Sequence, residues 1–460
     1  MRGLPAISAA EAYRVRRWDV LMLGGALPGL VAAARLGQRG LRVLIVEEEL
    51  PGERDFGREP FLLVDAEPQG LLAECLRALG IPLIDQRRFV TDEVALQVCE
   101  PDCRVDLGRA SHTAAEWSSW GLADADDARA CVRALEEAAD LERTALCETL
   151  LSLKATRRAR EALTGPLKPT QPRGWPARLD DAPPALRSVL DAPLRALSNL
   201  GDQPPSGEAR ARLLGGLLRG GVQVSGEVQL RGLLRSRVET LYGEFRLVPG
   251  PLRLVSVSGQ PGLSVVGSKE IWTGRALVLN APAAAIAAAS DEPVSDLLAA
   301  PPIRRRRHTL HFRGAVDQLS PCMAGRVVWR DRDDGECVAL RVLRGRRRQD
   351  GVDLLASVVV PVGDDDAEKR GSARIERALR DLLPFAGGSL ERRPLPTSRW
   401  DSDDLLADPL RGAWPDEPEL RLASRPAVYG LDRASVGGLG GEGELWLGWR
   451  AGDAIADELG

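Results

Sequence analysis

The spacing of apolar residues near the start of the chain predicts a strand, a tight turn, a helix and a second strand. Val20 to Leu23 is a short unbroken apolar run, suited to a strand buried on both faces. The stretch Gly24 to Gly29, GGALPG, breaks it and predicts a tight turn. Leu30 to Gln38 is Ala-rich and reads as a helix closed by Gly40. Arg42 to Val46 is a second apolar run, ended by Glu47 and Glu48. Farther on, Phe61 to Val64 is apolar and a helix is predicted from about Pro68 to Leu79, ended by Gly80. From about 105 to 220 the chain is rich in Ala, Leu, Arg and Glu and reads as helices, broken by a proline-rich loop over Thr164 to Pro184. Val222 to Pro282 reads as helix and then short strands. His308 to Val360 alternates apolar and polar residues as strands do. Ala373 to Leu383 reads as a helix.

The order strand, glycine turn, helix, strand, acid has a chemical meaning. A pyrophosphate sits well on a helix N-terminus, where backbone N–H groups and the helix dipole favour negative charge. Glu47 follows Gly24 at the spacing that brings a carboxylate to the ribose hydroxyls. A carboxylate there disfavours a 2′-phosphate, so FAD or NAD is preferred to NADP. In the G-x-G-x-x-G fingerprint, Ala26 stands at the second glycine. The plainer reading is a glycine turn that binds no nucleotide; the two strands, the helix and Glu47 in context favour a dinucleotide site.

Composition narrows the picture. A chain of 460 residues suggests two or three domains, and 44% hydrophobic with 28% charged residues is ordinary for a soluble globular protein. A net charge of −4 gives no basic field for nucleic acid. Seven irregularly spaced cysteines suggest neither a disulfide framework nor a zinc ribbon, and reduced thiols fit the cytoplasm. His308 and His311 are three apart on a predicted strand and point to opposite faces, which argues against a metal site. Met1 to Arg17 lack the apolar core of a signal peptide, and no apolar run is long enough to span a bilayer. Peripheral contact with a membrane is left open.

Three blocks resemble FAD-dependent oxidoreductases related to phytoene desaturase and, more distantly, the flavin amine oxidases. The first is the N-terminal turn with Glu47. The second runs through Ser225-Gly226-Glu227-Val228, Tyr242-Gly243-Glu244, Pro251-Leu252-Arg253-Leu254 and Ala276 to Pro282. The third is Gly438-Leu439-Gly440-Gly441-Glu442-Gly443-Glu444, leading into Trp449-Arg450-Ala451-Gly452-Asp453. The resemblance implies an α/β fold: a Rossmann-like FAD-binding domain from discontinuous segments, with an inserted α+β substrate domain. The FAD segments would be 15–105, 221–290 and 416–460. The substrate domain would hold a helical part, 106–220, and a strand-rich part, 291–415.

The resemblance also implies roles. Gly24, Ala26, Leu27 and Gly29 would lie under the pyrophosphate, Glu47 at the ribose, and Leu252 against adenine. The last helix, starting near Gly440 to Gly443, would aim its N-terminus at the flavin, where its dipole stabilises negative charge on reduced flavin. The cofactor set is then Gly24, Gly25, Ala26, Leu27, Gly29, Glu47, Glu48, Arg54, Leu252, Asp432, Arg433, Gly440, Gly441, Glu442 and Gly443. FAD would be held non-covalently and would accept hydride from a small apolar or isoprenoid-like substrate. Catalysis then rests on the cofactor, and no catalytic residue is named. Lys269 reads as a solvated turn residue, which counts against an amine oxidase. Trp446, Trp449 and Trp400 read as core before they read as pocket walls. Arg304 to Arg307, ahead of a strand, and Arg346 to Arg348, at a hairpin tip, read as solvated faces. Glu442 is either a proton-handling group or a helix cap. Ala26, Glu53 in Gly52-Glu53-Arg54, and Asp432 depart from the pattern and favour an alternative: a binding or scaffold protein that keeps the fold without the redox cycle. An NAD-dependent dehydrogenase, read from the turn alone, explains less of the chain.

Overall fold

The computed structural model describes residues 13–49, 59–148, 182–201, 205, 207–223, 229–290, 305–332, 334–344, 351–386, 389–395, 404–405, 420–424 and 426–460. Strand β1 (Arg14–Leu23) begins exposed and ends in four residues with no exposure, Val20 to Leu23. Helix α1 (Leu27–Gln38) starts earlier than the Leu30 that the sequence predicts. Pro28 explains the shift: its φ is preset for a first helical turn, and the N–H it lacks would have no partner there. β2 (Val43–Glu48) follows. Helix α2 (Leu71–Ala78) begins after Gly70 rather than at Pro68. The stretch read as helical opens instead on a strand, Cys103–Gly108, paired with Val94–Glu100. Its buried Val105 and Leu107 alternate with more exposed Arg104 and Asp106, a period of two. Helices α3 (Ala125–Glu148), α4 (Pro184–Leu197), α5 (Gly207–Leu217) and α6 (Leu230–Thr240) come next. The chain continues through β3 (Glu244–Val248), β4 (Leu252–Val257), β5 (Gln260–Val265) and β6 (Glu270–Leu279). It ends in β7 (Arg421–Ser424), β8 (Ala427–Gly430) and helix α7 (Gly440–Leu459).

One sheet has the order β7-β8-β6-β1-β2-β3, with β5 on β6 and β4 on β5. The run β3-β2-β1-β6-β8 is parallel. The chain moves outward from β1 to β2 and β3, then returns to β6 on the other side of β1. The C-terminal ends of β1 and β6 therefore form a topological switch point, the crevice where open α/β sheets bind ligands.

A second sheet takes strands from Val94–Glu100 and Cys103–Gly108, from the segment between Arg305 and Arg393, and from Asp404–Leu405, with the helix Asp365–Leu382 on one face. That helix starts well before the predicted Ala373, because Asp364 caps it at the Ala367 N–H, 3.0 Å away. Arg305 to Arg307 lie inside the strand Arg305–Gly314 rather than ahead of it, paired with Val359 to Pro361. His308 and His311 take separate partners, Ser372 at 2.9 Å and Asp353 at 2.8 Å.

Helices α1 and α7 pack on the same face of the parallel sheet, and small residues set their separation. A Cβ on Gly448 would overlap the Pro28 carbonyl and stand 2.7 Å from Val31 Cβ; one on Gly452 would stand 2.7 Å from Arg35 Cβ. Trp446 and Trp449 are core residues, at 1% and 8% exposure, and Trp446 Nε1 donates to the Leu146 carbonyl at 2.8 Å. Gly448→Ala should therefore lower stability by about 1–3 kcal/mol, the usual range for overpacking. Gly232→Ala on α6, where the nearest atom is 3.8 Å away, should raise it by about 0.5–1 kcal/mol. Melting curves check this; equal shifts for the two variants would show that the α1–α7 crossing is not tight.

Candidate nucleotide site

The turn after β1 is built by three neighbours. Gly24 has φ +92°, and its N–H donates to the Val46 carbonyl at 2.9 Å. A Cβ there would lie 2.5 Å from the Asn280 carbonyl oxygen, so both conformation and space require glycine. Asn280 closes the turn from β6: its N–H donates to the Leu23 carbonyl at 2.9 Å and its Nδ2 to the Ala26 carbonyl at 3.0 Å. A Cβ on Gly29 would overlap that Asn280 amide. The Gly25 N–H donates to Glu47 Oε1 at 2.6 Å, with Glu47 only 4% exposed. The Phe245 ring of β3 covers Gly25, and the Arg235 guanidinium lies 4.6 Å from its centroid. The N-terminus of α1 has no side-chain cap and no acid in its first turn. Its dipole is left to an anion.

The remaining predicted residues fall into two places. Glu48 accepts from the Leu252 N–H at 3.1 Å, so both hold the end of β2 to the start of β4. Arg54, with Gly52 and Glu53, lies outside the described residues. Asp432, Arg433 and Gly440 to Gly443 gather where β8 runs into α7. Arg433 stands 3.5 Å from Glu444, which also accepts from Asn199 Nδ2 at 3.0 Å. A Cβ on Gly440 would overlap the Leu197 carbonyl; one on Gly441 would lie 2.9 Å from Pro60, and one on Gly443 2.7 Å from the Val436 carbonyl. Those glycines admit the end of α4 and Pro60 onto the start of α7. From there α7 runs past Pro28, joining this group to the β1–α1 turn.

Glu442 does not cap α7. It is 2% exposed and accepts from Arg212 Nη2 at 2.9 Å, because α5 brings a buried guanidinium within reach. Arg212 Nη1 donates to Asp65 Oδ2 at 3.1 Å, and Arg143 and Arg219 stand 3.8 Å from the same oxygen. Sequence reasoning gave no site role to Asp65, Arg212, Phe245 or Asn280, the last named only as the end of a strand. Arg212 left a trace, a single charge within the run Ala211 to Leu218. Asp65 has φ +59°, a conformation no spacing pattern reveals.

FAD can be tested against these residues in two halves. The β1–α1 end fits an adenosine diphosphate: a glycine cradle, an uncapped helix N-terminus, and a carboxylate at the end of β2. At the α7 end the start of the helix is packed by protein. Leu197, Pro60 and the Glu442–Arg212 pair fill the start of the helix.

No family model matches the chain, and no curated protein matches its sequence. Solved structures do. An oxidoreductase from Methanosarcina mazei superposes with a TM-score of 0.56 at 13% identity, covering 94% of this chain and 99% of its own. A triple mutant of putrescine oxidase reaches 0.55 at 14% identity, covering 97% and 100%. Cyclohexylamine oxidase from Brevibacterium oxydans reaches 0.53 at 17% identity, covering 96% and 99%. The chain has the flavin amine oxidase-like fold.

Around Arg212 two buried carboxyls are strongly shifted. Desolvation outweighs Arg212 and lifts the Glu442 carboxyl to about 7, with Asp65 adding to the rise. Burial, then the like charge of Glu208, lifts Glu142 on α3 to about 8. The thiols of Cys75, Cys99 and Cys337 are pushed up to about 12 by burial and stay protonated. The folded protein thus holds the Glu442 and Glu142 protons more tightly than the unfolded chain. Their stabilising contribution is full below the ordinary carboxyl value of 4.5 and is lost as pH rises through about 7 and about 8. Glu442→Gln and Glu142→Gln should each flatten the fall in Tm over that window; an unchanged slope would mean the carboxyls are not buried as described. Arg212→Met should cost about 3–5 kcal/mol in chemical denaturation, because it strands the buried Glu442 carboxylate and removes one of three guanidinium groups around Asp65.

Proposed function

We propose that the protein is an FAD-dependent oxidoreductase that takes hydride from a small apolar or isoprenoid-like substrate. FAD would be held non-covalently, with Gly24, Ala26, Leu27 and Gly29 under the pyrophosphate and Glu47 at the adenosine ribose. One observation supports the reading above others. The Glu47 carboxylate lies 2.6 Å from the Gly25 N–H, at the switch point of a parallel sheet. The acid and the phosphate turn, apart in sequence, meet where a dinucleotide needs both. FAD, when bound, supplies the hydride chemistry. The chain supplies the anion-binding helix end and the acid, and its Phe245 and Asn280 side chains keep water from the turn.

A second reading is favoured by the packing of α7: a binding or scaffold protein that keeps the adenosine end of the site without the flavin end. The absorption spectrum of the purified protein, before and after incubation with FAD, separates the two. The first reading expects a flavin spectrum, and Glu47→Ala should weaken FAD roughly 10-fold or more, the scale of a lost charged hydrogen bond. A colourless protein that binds ADP in calorimetry but not FAD would sink the oxidoreductase reading in favour of the second. A protein that binds neither would sink both.

A further inference from the structure

Among the described residues no helix is long and apolar enough to cross a membrane. One edge of the parallel-sheet domain nevertheless carries side chains that its own packing does not use. Helices α1, α2 and α6 all end there. A Cβ on Gly80, just past α2, would stand 2.8 Å from Arg237 of α6 and 3.0 Å from Gln38 of α1; one on Gly37 of α1 would stand 3.0 Å from Leu241.

The three helices close in the same way. A backbone N–H beyond each end reaches back into the last turn: Leu41 to Leu36 at 3.1 Å, Ile81 to Leu76 at 3.0 Å and Gly243 to Val238 at 2.9 Å. The residue before each donor takes the left-handed conformation. It is Gly40 at φ +84°, Gly80 at φ +62°, and Tyr242 at φ +62°. Glycine suits that position, and a side chain there is strained. Tyr242 is also 87% exposed, so no internal packing compensates the strain.

Just past Gly80 lies the helical turn Leu83–Gln86, which buries none of its residues. Leu83 is 65% and Ile84 72% exposed, and Arg87 and Arg88 are exposed beside them. The acids on these elements are engaged: Asp85 stands 3.6 Å from Arg88, and Glu239 3.1 Å from Arg235. Arg35, Arg77 and Arg237, in the last turns of the three helices, offset the negative ends of their dipoles.

We propose that this edge rests on an anionic phospholipid bilayer. Leu83 and Ile84 enter the boundary between headgroups and acyl chains, Tyr242 lies at headgroup level, and Arg87 meets the phosphates. Two aliphatic side chains and a tyrosine beside arginines suit a bilayer surface. They are too small an apolar area for a stable protein interface, which needs on the order of 1,200 Å². The edge lies at the opposite end of the parallel strands from the Gly24 turn, so the proposal does not depend on what that turn holds.

Flotation of the full chain with vesicles tests it. Vesicles of phosphatidylcholine with about 30% phosphatidylserine should carry the protein at low salt, and phosphatidylcholine alone roughly 10-fold less. The double variant Leu83→Asp, Ile84→Asp should lose roughly 10-fold in binding with an unchanged melting curve. Tyr242→Gly should raise the Tm, by relieving the left-handed strain, and still weaken flotation. Absence of flotation on the anionic vesicles would overturn the proposal, as would variants that bind like the parent. A concentration-dependent dimer in sedimentation that the double variant abolishes, without vesicle binding, would assign the edge to a second copy instead.

Discussion

The placement of Arg212 constrains much of this molecule. It is a fully buried guanidinium from α5, held between Asp65, which follows the short strand Leu63–Val64, and Glu442 at the start of α7. Three elements far apart in the chain meet on one side chain. Such a bridge adds little net stability, because desolvating three charges offsets most of their attraction. Its effect is on specificity. Any packing that moves α5 from α7 strands a charge in a medium that cannot solvate it. The start of α7, and hence its crossing over α1, is thereby tied to the helical layer.

The same constraint bears on the site. Helix α7 begins on glycines that the resemblance assigns to a flavin, yet each of them is closed by protein: Gly440 by Leu197, Gly441 by Pro60, Gly443 by Val436. A glycine-rich helix start has two physical uses, admitting a ligand and admitting another part of the chain. Sequence spacing does not separate them. At the β1–α1 turn the two uses coexist: Gly24 and Gly29 make room for Asn280, while the uncapped start of α1 keeps its affinity for an anion.

Legibility followed from this difference. The strand, turn, helix, strand and acid near the N-terminus were readable because each is set by local chemistry: an apolar run, a positive-φ glycine, an Ala-rich helix. Trp446 and Trp449 were readable as core for the same reason. Pro28 misled the helix boundary because it belongs equally to a turn and to a first helical turn. The strand at Cys103–Gly108 was lost in a helical composition, since its period of two spans only six residues. Asp65, Arg212, Phe245 and Asn280 act through partners at long sequence separation. Only the fold brings them together.

Sharing a fold with two amine oxidases at 14% and 17% identity leaves the chemistry to be settled by the site itself. The two halves of that site impose different demands. A nucleotide at the β1–α1 turn would ask for backbone shape and one carboxylate, and Gly24, Gly29 and Glu47 stand there. At the start of α7 the chain buries two carboxylates around one arginine. The end of α4 and the Glu442 carboxylate both meet the first turn of α7. The start of α7 is thus tied, through one buried arginine, to the helical layer.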